Sequence, residues 1–324
     1  MMKNVVALAA GAFALCLGQQ GMAQERIELA YALSADSHFG DFASAFETEL
    51  ESLSGGKFDV VQMASHLGAN ERGTIEAVQL GTTQSAIVAT ATMTNFVPET
   101  GVLDLPYLFR DTAHARSVQD GEIGASILDT YQNYGLVALA FGEVGFRSIT
   151  TSKVPVRTPA DLKNLKIRVQ QADDHLLAFE AMGALPTPMA FGELYTALQT
   201  GTLDGQENAI SVMLPSRIYE VQKYYSPTNH MFTNTVFIVT PAVWEGLSDE
   251  EKGWFRAAAA KGIAAERARV DRELAEGLEI MKAAGVEIVD NVDVVAFAAA
   301  VEPAYEVYNT KYDADLITRI KAAE

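Results

Sequence analysis

The chain has 324 residues, 49% of them hydrophobic, which argues against intrinsic disorder and for a sizeable buried core divided between two lobes. Its 24 Lys and Arg face 42 Asp and Glu, a formal net charge of -18. That balance argues against a surface for phosphate backbones, and no nucleic-acid partner is expected.

The N-terminus reads as a secretory signal over residues 1–23. Lys3 supplies a positive start, Val5 to Leu17 an apolar run, and Gly21-Met22-Ala23 the small residues of a cleavage site before Gln24. An anchor would need about 20 apolar residues, and no later segment supplies them. The mature chain is therefore expected to be soluble, with no direct membrane insertion. The single cysteine, Cys16, lies inside the signal. Cleavage would leave none, which fits a bacterial periplasm and excludes disulfides and cysteine chemistry.

In chain order, alternation over Ile27 to Leu33 predicts a strand, and Ser34 to His38 a turn or capping loop. Phe39, Phe42, Ala43, Phe46, Leu50 and Leu53 recur at helical spacing, ending at Gly55-Gly56. A strand over Lys57 to Met63, a helix over Asn70 to Leu80 and a buried strand over Ser85 to Ala89 continue the alternation that predicts an α/β sheet with covering helices. Gly135 to Phe141 reads as another strand, and the Gly142 to Gly145 pair as the first crossing between lobes. Asn234 to Thr240 is expected to cross back. Ser248-Asp249-Glu250-Glu251 is an N-cap with acids behind it, opening a helix that runs without proline to Ala284 and stops at Gly285. A helix that long is expected to span both lobes.

Motifs for enzymatic chemistry are absent from the sequence. There is no G-x-S-x-G elbow, no phosphate-binding glycine loop and no pair of histidines at metal-ligand spacing. What remains are positive charges in an acidic protein. In Leu165-Lys166-Ile167-Arg168-Val169, alternation puts Lys166 and Arg168 on one strand face, either solvated or turned to an anion. Arg147, just past the glycine crossing, admits the same two readings. A guanidinium forks naturally onto a carboxylate, so two arginines at interlobe strand ends could hold an organic anion.

The segment Pro186-Thr187-Pro188-Met189-Ala190-Phe191-Gly192-Glu193-Leu194-Tyr195, with Gly201-Thr202-Leu203-Asp204-Gly205-Gln206-Glu207-Asn208 after it, closely resembles the signature of the solute-binding proteins of tripartite ATP-independent periplasmic (TRAP) transporters, the DctP-like family. The resemblance extends to Asp161 through Val169, Tyr219 through Tyr224, Leu67 through Gly81 and Leu105-Pro106-Tyr107-Leu108, essentially the whole mature chain. It implies an α/β, two-lobed periplasmic binding fold: two mixed lobes joined by hinge strands and a long spanning helix. The lobes would comprise 24–145 plus about 236–275, and 146–235 plus about 276–324. It also implies capture of a carboxylate by hinge closure and delivery to the membrane permease subunits of the transporter, without catalysis or cofactor. Carried onto this chain, Arg168 would clamp the carboxylate, Arg147 would assist, Asn208 would hydrogen-bond the same end of the solute, and Phe191 would pack against it or lie in the core.

The sequence departs from the family at Asn164, where the usual glycine is replaced by a residue expected in the left-handed region, and at Ala209, where a proline often stands. Trp244 and Trp254 lie outside the cleft-forming motifs, so no metal is expected. Ligands of α/β sheets sit beyond the carboxyl ends of strands, which points to Ala35 to Phe39, Asn70-Glu71 and Thr90 to Thr92. Glu71 either faces the solute or favours its helix start; His38 and Asp36 either contact the solute or cap a helix; Thr92 follows the third strand. Polar groups here suit a hydroxylated molecule, a sugar acid such as a uronate or aldonate, with a C4-dicarboxylate or small hydroxy or keto acid as the alternative. Asp173, Asp174 and His175 read as a solvated helix start. Within the opening signature, Met189 to Leu198 is expected to be helical, Gly205 to allow a turn, and Gln206 and Glu207 to pair with the arginines. A reading of another class is an exported lyase or hydrolase on acidic sugars, with Glu71 and His38 as acid and base. A ligand-sensing partner of a membrane receptor is a third.

Overall fold

The computed structural model describes residues 24–323. The signal expected over 1–23 lies outside the described residues. Among the described residues, nine strands join in one sheet: β1 (Glu25–Ala30), β2 (Phe58–Met63), β3 (Ser85–Ala89), β4 (Val137–Thr151), β5 (Lys166–Val169), β6 (Leu185–Pro188), β7 (Gly205–Asn208), β8 (Tyr224–Val239) and β9 (Glu287–Ile288). Their order is β2-β1-β3-β8-β4-β7-β5-β6, with β9 also on β8. Parallel β2-β1-β3 form one end and parallel β6-β5-β7 the other. The long antiparallel pair β4 and β8 runs through both, so the two lobes share a pair of hinge strands.

Each lobe follows from its pattern. All five residues of β3 are buried, as a continuous apolar run covered on both faces must be. The helix His38–Leu53 sets Phe42 and Phe46 at helical spacing into a core with Phe255, Ala258 and Ile263 of the long helix. Gly262 makes that approach possible, since a Cβ there would lie 2.6 Å from the Phe42 ring.

The long helix occupies Asp249–Ala283, and Ser248 and Glu251 cap it reciprocally as its first four residues predict. Gly285 follows at φ +94. Its N-terminal half belongs to the core around Phe42, while Met281 packs with Leu194 and Ile210 of the other lobe, and Ile210 also closes on Gly277. It spans both lobes as expected.

The first strand ends at Ala30, earlier than predicted, which frees Ala32 and Leu33 for the interlobe space. The strand expected over Asn234 to Thr240 is the end of the 16-residue β8. The expected crossing at Gly142 to Gly145 is an uninterrupted part of β4 with a shift of register between Glu143 and Gly145. Asn164 adopts φ +66, the left-handed conformation foreseen for it. The chain end packs differently from the expected lobe division. Ala304, Tyr308, Tyr312, Ile317 and Ile320 join Ala30, Val88 and Phe141 in the first lobe's core, while Phe297 and Val301 pack with Ile149 and Ile167 in the second.

Among the described residues, no helix is long and apolar enough to cross a membrane, and no cluster of three or more His, Cys, Asp or Glu could hold a metal ion.

Candidate functional site

Between the lobes lies a cavity of about 360 Å³, part of it open to solvent. Arg147, Arg168, Gln170, Phe191 and Asn208 enter it from the second lobe's elements, and Leu33, Phe39, Glu71 and Ala89 from the first. Strand ends from both lobes therefore meet there, as the sheet rule requires.

Arg168 is 3% exposed and Ile167 and Val169 beside it are buried as well, so β5 is covered on both faces past Lys166 and the guanidinium is enclosed rather than in solvent. Its Nε and Nη2 donate to the carbonyl oxygen of Met189 at 3.0 and 2.7 Å. Its Nη1 is buried with no partner. Burial lowers its pKa to about 10, with Glu207 and Glu71 pulling the other way, and it remains a cation at neutral pH. Met189, expected in the helix, instead follows β6 and supplies this carbonyl; the helix begins at Phe191.

Arg147, 1% exposed, is already paired. Its Nε donates to Glu207 Oε2, and its Nη2 donates to Glu207 Oε1 at 2.9 Å and to the Glu207 carbonyl at 2.8 Å. His230 Nε2 lies 3.2 Å from Glu207 Oε2 and His175 Nδ1 3.7 Å from Oε1. Burial opposes charge on Glu207, but Arg147, His175 and His230 together hold its carboxyl well below the usual range. Burial likewise depresses His230. A fully buried pair of this kind fixes geometry rather than adding much stability, and losing either member is what costs. The expectation for Glu207 thus holds, whereas Gln206 does not reach an arginine: its Nε2 donates to Thr150 Oγ1 at 2.8 Å. Gly205 serves close approach, since a Cβ would lie 2.2 Å from the Thr150 carbonyl oxygen, and it sits within β7 rather than in a turn.

Asn208, one strand over, accepts the Ala209 N–H on Oδ1 at 3.0 Å, which leaves its amide nitrogen for other contacts. Glu71 is the first residue of the helix Glu71–Gln79, capped by Asn70; it sits in the helix's first turn and lines the cavity. Its Oε1 accepts from the Ala89 N–H at 2.9 Å and its Oε2 from Thr92 Oγ1 at 3.0 Å. Burial pushes its carboxyl up, against these hydrogen bonds and the two arginines. Phe191 is only partly buried and packs against the cores of both lobes.

Thr92 and His38 are not among the cavity-lining residues. Thr92 acts on Glu71. His38 is fully buried with neither ring nitrogen bonded, and burial drops its pKa to about 3. Ser37, not His38 or Asp36, caps the helix by accepting from the Gly40 N–H. Asp36 is at the surface beside Arg269. Phe39 is the residue of that loop that faces the cavity. Asp174 and His175 also correct the sequence reading, because they are buried rather than solvated. Asp174 accepts from Lys311 Nζ at 2.8 Å and from the Tyr312 hydroxyl, so a helix start is sealed by the C-terminal helices.

Sequence reasoning missed Gln170, which is 7% exposed with Oε1 unpartnered. The signal was available in its place two residues after Arg168, just past the end of β5. Leu33, Val144 and Val212 also line the cavity and carry no local signal of doing so.

Residues 29–311 match the family model described as bacterial extracellular solute-binding protein, family 7 (DctP). A solute-binding protein of Verminephrobacter eiseniae is 37% identical over 302 residues, 93% of this chain and 90% of that protein. Among solved structures, a TRAP periplasmic solute-binding protein from Bordetella bronchispeptica, in which bound density was assigned to pantoate, superimposes with a TM-score of 0.91 at 47% identity, covering 93% of this chain and 100% of that one. Another from Polaromonas sp. JS666, bound to D-erythronate, has a TM-score of 0.91 at 41% identity and covers 93% and 99%. With this fold, this cavity and these matches over nearly its whole described length, the chain belongs to the DctP family of TRAP solute-binding proteins.

Proposed function

We propose that this protein is the capture subunit of a TRAP transporter: it binds an organic acid through its carboxylate, closes its lobes around the solute and hands it to membrane permease subunits. The observation that carries this reading is Arg168. A buried guanidinium with an unpartnered Nη1 at an interlobe cavity is a site awaiting an acceptor, since buried donors are almost always satisfied. Met189 occupies one edge of the fork, and the Nη1–Nη2 edge remains for two parallel bonds to a carboxylate. Ligand-driven closure follows if the solute binds both lobes at once, because its affinity then differs between open and closed states. Export across the inner membrane by the signal over 1–23, and work in the periplasm, complete the proposal.

The preferred solute is a hydroxylated monocarboxylate, the class that contains aldonates and uronates. Glu71, Gln170 and Asn208 offer hydrogen bonds to hydroxyls, and the pantoate and D-erythronate in the two solved relatives are acids of this kind. A C4-dicarboxylate has less support, because Arg147, the other cation at the cavity, is held by Glu207. The enzymatic reading also loses support: His38 does not reach the cavity where Glu71 stands. Calorimetric titration of the mature protein with a panel of organic acids and their neutral amides tests the proposal. Saturable binding of an acid and none of its amide is expected; indifference to the carboxylate would overturn it.

A further inference from the structure

A further element crosses between the lobes besides β4, β8 and the long helix. The helix Val294–Lys311 buries Phe297, Val301, Ala304 and Tyr308, which recur at helical spacing as one apolar stripe. That stripe serves two cores. Phe297 and Val301 pack with Ile149, Ile167 and Phe179 of the second lobe, whereas Ala304 and Tyr308 pack with Val88, Tyr131 and Phe141 of the first. Pro303 stands between the two sets, inside the helix. A proline there has no N–H to offer the carbonyl of Ala299, and its ring crowds that carbonyl, so the helix is weakest where it passes from one core to the other.

Both ends of this helix are tied down, each to a different lobe. The N–H of Asp293, its N-cap, donates to the Arg157 carbonyl of the second lobe at 2.8 Å. Beyond its other end, the helix Ala314–Ala322 is held by the first lobe: Arg110 Nη1 and Nη2 donate to the carbonyl oxygens of Lys321 and Ala323, each at 2.8 Å. Asp174, in the first turn of the second lobe's helix Asp173–Ala181, then meets the first-lobe half. Lys311 Nζ donates to both of its carboxylate oxygens at 2.8 Å, the Tyr312 hydroxyl to one of them, and the Tyr308 hydroxyl to its backbone carbonyl at 2.8 Å. Gly101 of the first lobe leaves room for this contact, since a Cβ there would lie 1.9 Å from the Tyr312 hydroxyl.

We propose that the helix Val294–Lys311 is a jointed strap across the hinge: its halves ride with different lobes, Pro303 is the joint, and the contact with Asp174 limits how far the lobes part. A carboxylate that merely sealed the start of its own helix would find donors in its own lobe. Among the described residues, Asp174 takes its side-chain donors from beyond Pro303 alone. It is 2% exposed, so parting the lobes would pull a cation and a hydroxyl off a buried charge, and that cost makes the contact a stop. The stop also adjoins the cavity network, because the next residue, His175, places Nδ1 3.7 Å from Glu207 Oε1.

Double electron–electron resonance on the full mature chain tests this without any solute. Spin labels at Thr48→Cys in the first lobe and Lys163→Cys in the second, both exposed positions, read the distance between lobes. Asp174→Asn and Lys311→Met are each expected to shift the distance distribution to longer values. Tyr312→Phe removes one hydroxyl and keeps the packing, so it should shift the distribution in the same direction even if Asp174→Asn does not fold. Pro303→Ala, which gives the Ala299 carbonyl its helical partner back, is expected to narrow the distribution. A lowered melting temperature with unchanged distances in Lys311→Met and Tyr312→Phe would reduce the contact to a structural seal and overturn the proposal. A Pro303→Ala distribution as broad as that of the wild type would remove the joint.

Discussion

Arg168 and Met189 are joined edge to carbonyl: Nε and Nη2 of the arginine both donate to the Met189 carbonyl oxygen, at 3.0 and 2.7 Å. The contact orients the guanidinium across the β5–β6 junction and leaves its end edge toward the cavity. Arg168→Ala should therefore lose solute binding altogether, because stripping one partner from a buried ion pair costs about 3–5 kcal/mol. Arg168→Lys should fare little better, since one ammonium cannot serve both the carbonyl and a bidentate carboxylate. Titration calorimetry reads both, and near wild-type affinity in either variant would break the clamp assignment.

Glu207→Gln leaves the buried Arg147 charge without its counterion, and a fall in folding stability of about 3–5 kcal/mol is expected. The pH dependence has a definite sign. The native carboxyl of Glu207 is held far below its ordinary value of 4.5, so its contribution is fully present above that value and is lost as pH falls toward the depressed native one. Urea unfolding as a function of pH should show an acid limb that is shallower in the variant. Superimposable limbs would mean that Glu207 is not a source of acid sensitivity.

Proton uptake should accompany binding. Burial already raises Glu71, and Arg168 is among the charges that oppose the rise. A solute carboxylate on Arg168 cancels part of that opposition, so the complex holds its Glu71 proton to higher pH than the free protein. Affinity should then decline as pH rises from the raised value of the free protein through the still higher one of the complex. Calorimetry in buffers of different ionisation enthalpy measures the uptake directly, and Glu71→Gln should abolish it. Equal uptake in both proteins would assign the proton elsewhere.

Gly192, in the helix Phe191–Gln199, lies against the backbone of Gly68 from the first lobe. A Cβ on Gly192 would lie 2.0 Å from the Gly68 carbonyl oxygen, and backbone on both sides cannot yield cheaply. Gly192→Ala should hold the lobes apart, weakening binding by about tenfold or more while leaving the melting temperature of the free protein little changed. Small-angle scattering with saturating solute should show incomplete compaction. Wild-type affinity with full compaction would mean that this contact does not limit closure.

Much of the architecture is legible in the order of residues because it rests on interactions within a turn or two. The capping box at Ser248 and Glu251, the stop at Gly285, the aromatic spacing of Phe39 to Phe46 and the left-handed Asn164 are all of this kind. The short strand β5 likewise brings Arg168, with Gln170 just past its end, to the cavity. The family signature around Gly205-Gln206-Glu207-Asn208 points to a strand whose last residue, Asn208, lines the interlobe cavity.

Partnership across the chain is another matter. Arg147 meets Glu207 over a separation of 60 residues, and Lys311 meets Asp174 over 137, so neither the neutralised arginine nor the sealed helix start follows from local pattern. Within Ala35 to Phe39 the polar His38 is the natural suspect, yet burial turns it away and presents Phe39 to the cavity. Thr92 lies at the expected strand end but reaches Glu71 rather than the open space. Periodicity assigns a side chain to a face of its element. Which group stands opposite, and whether a charge arrives free or already paired, depends on how distant elements dock, because desolvation and Coulomb energy depend on distance in space rather than along the chain.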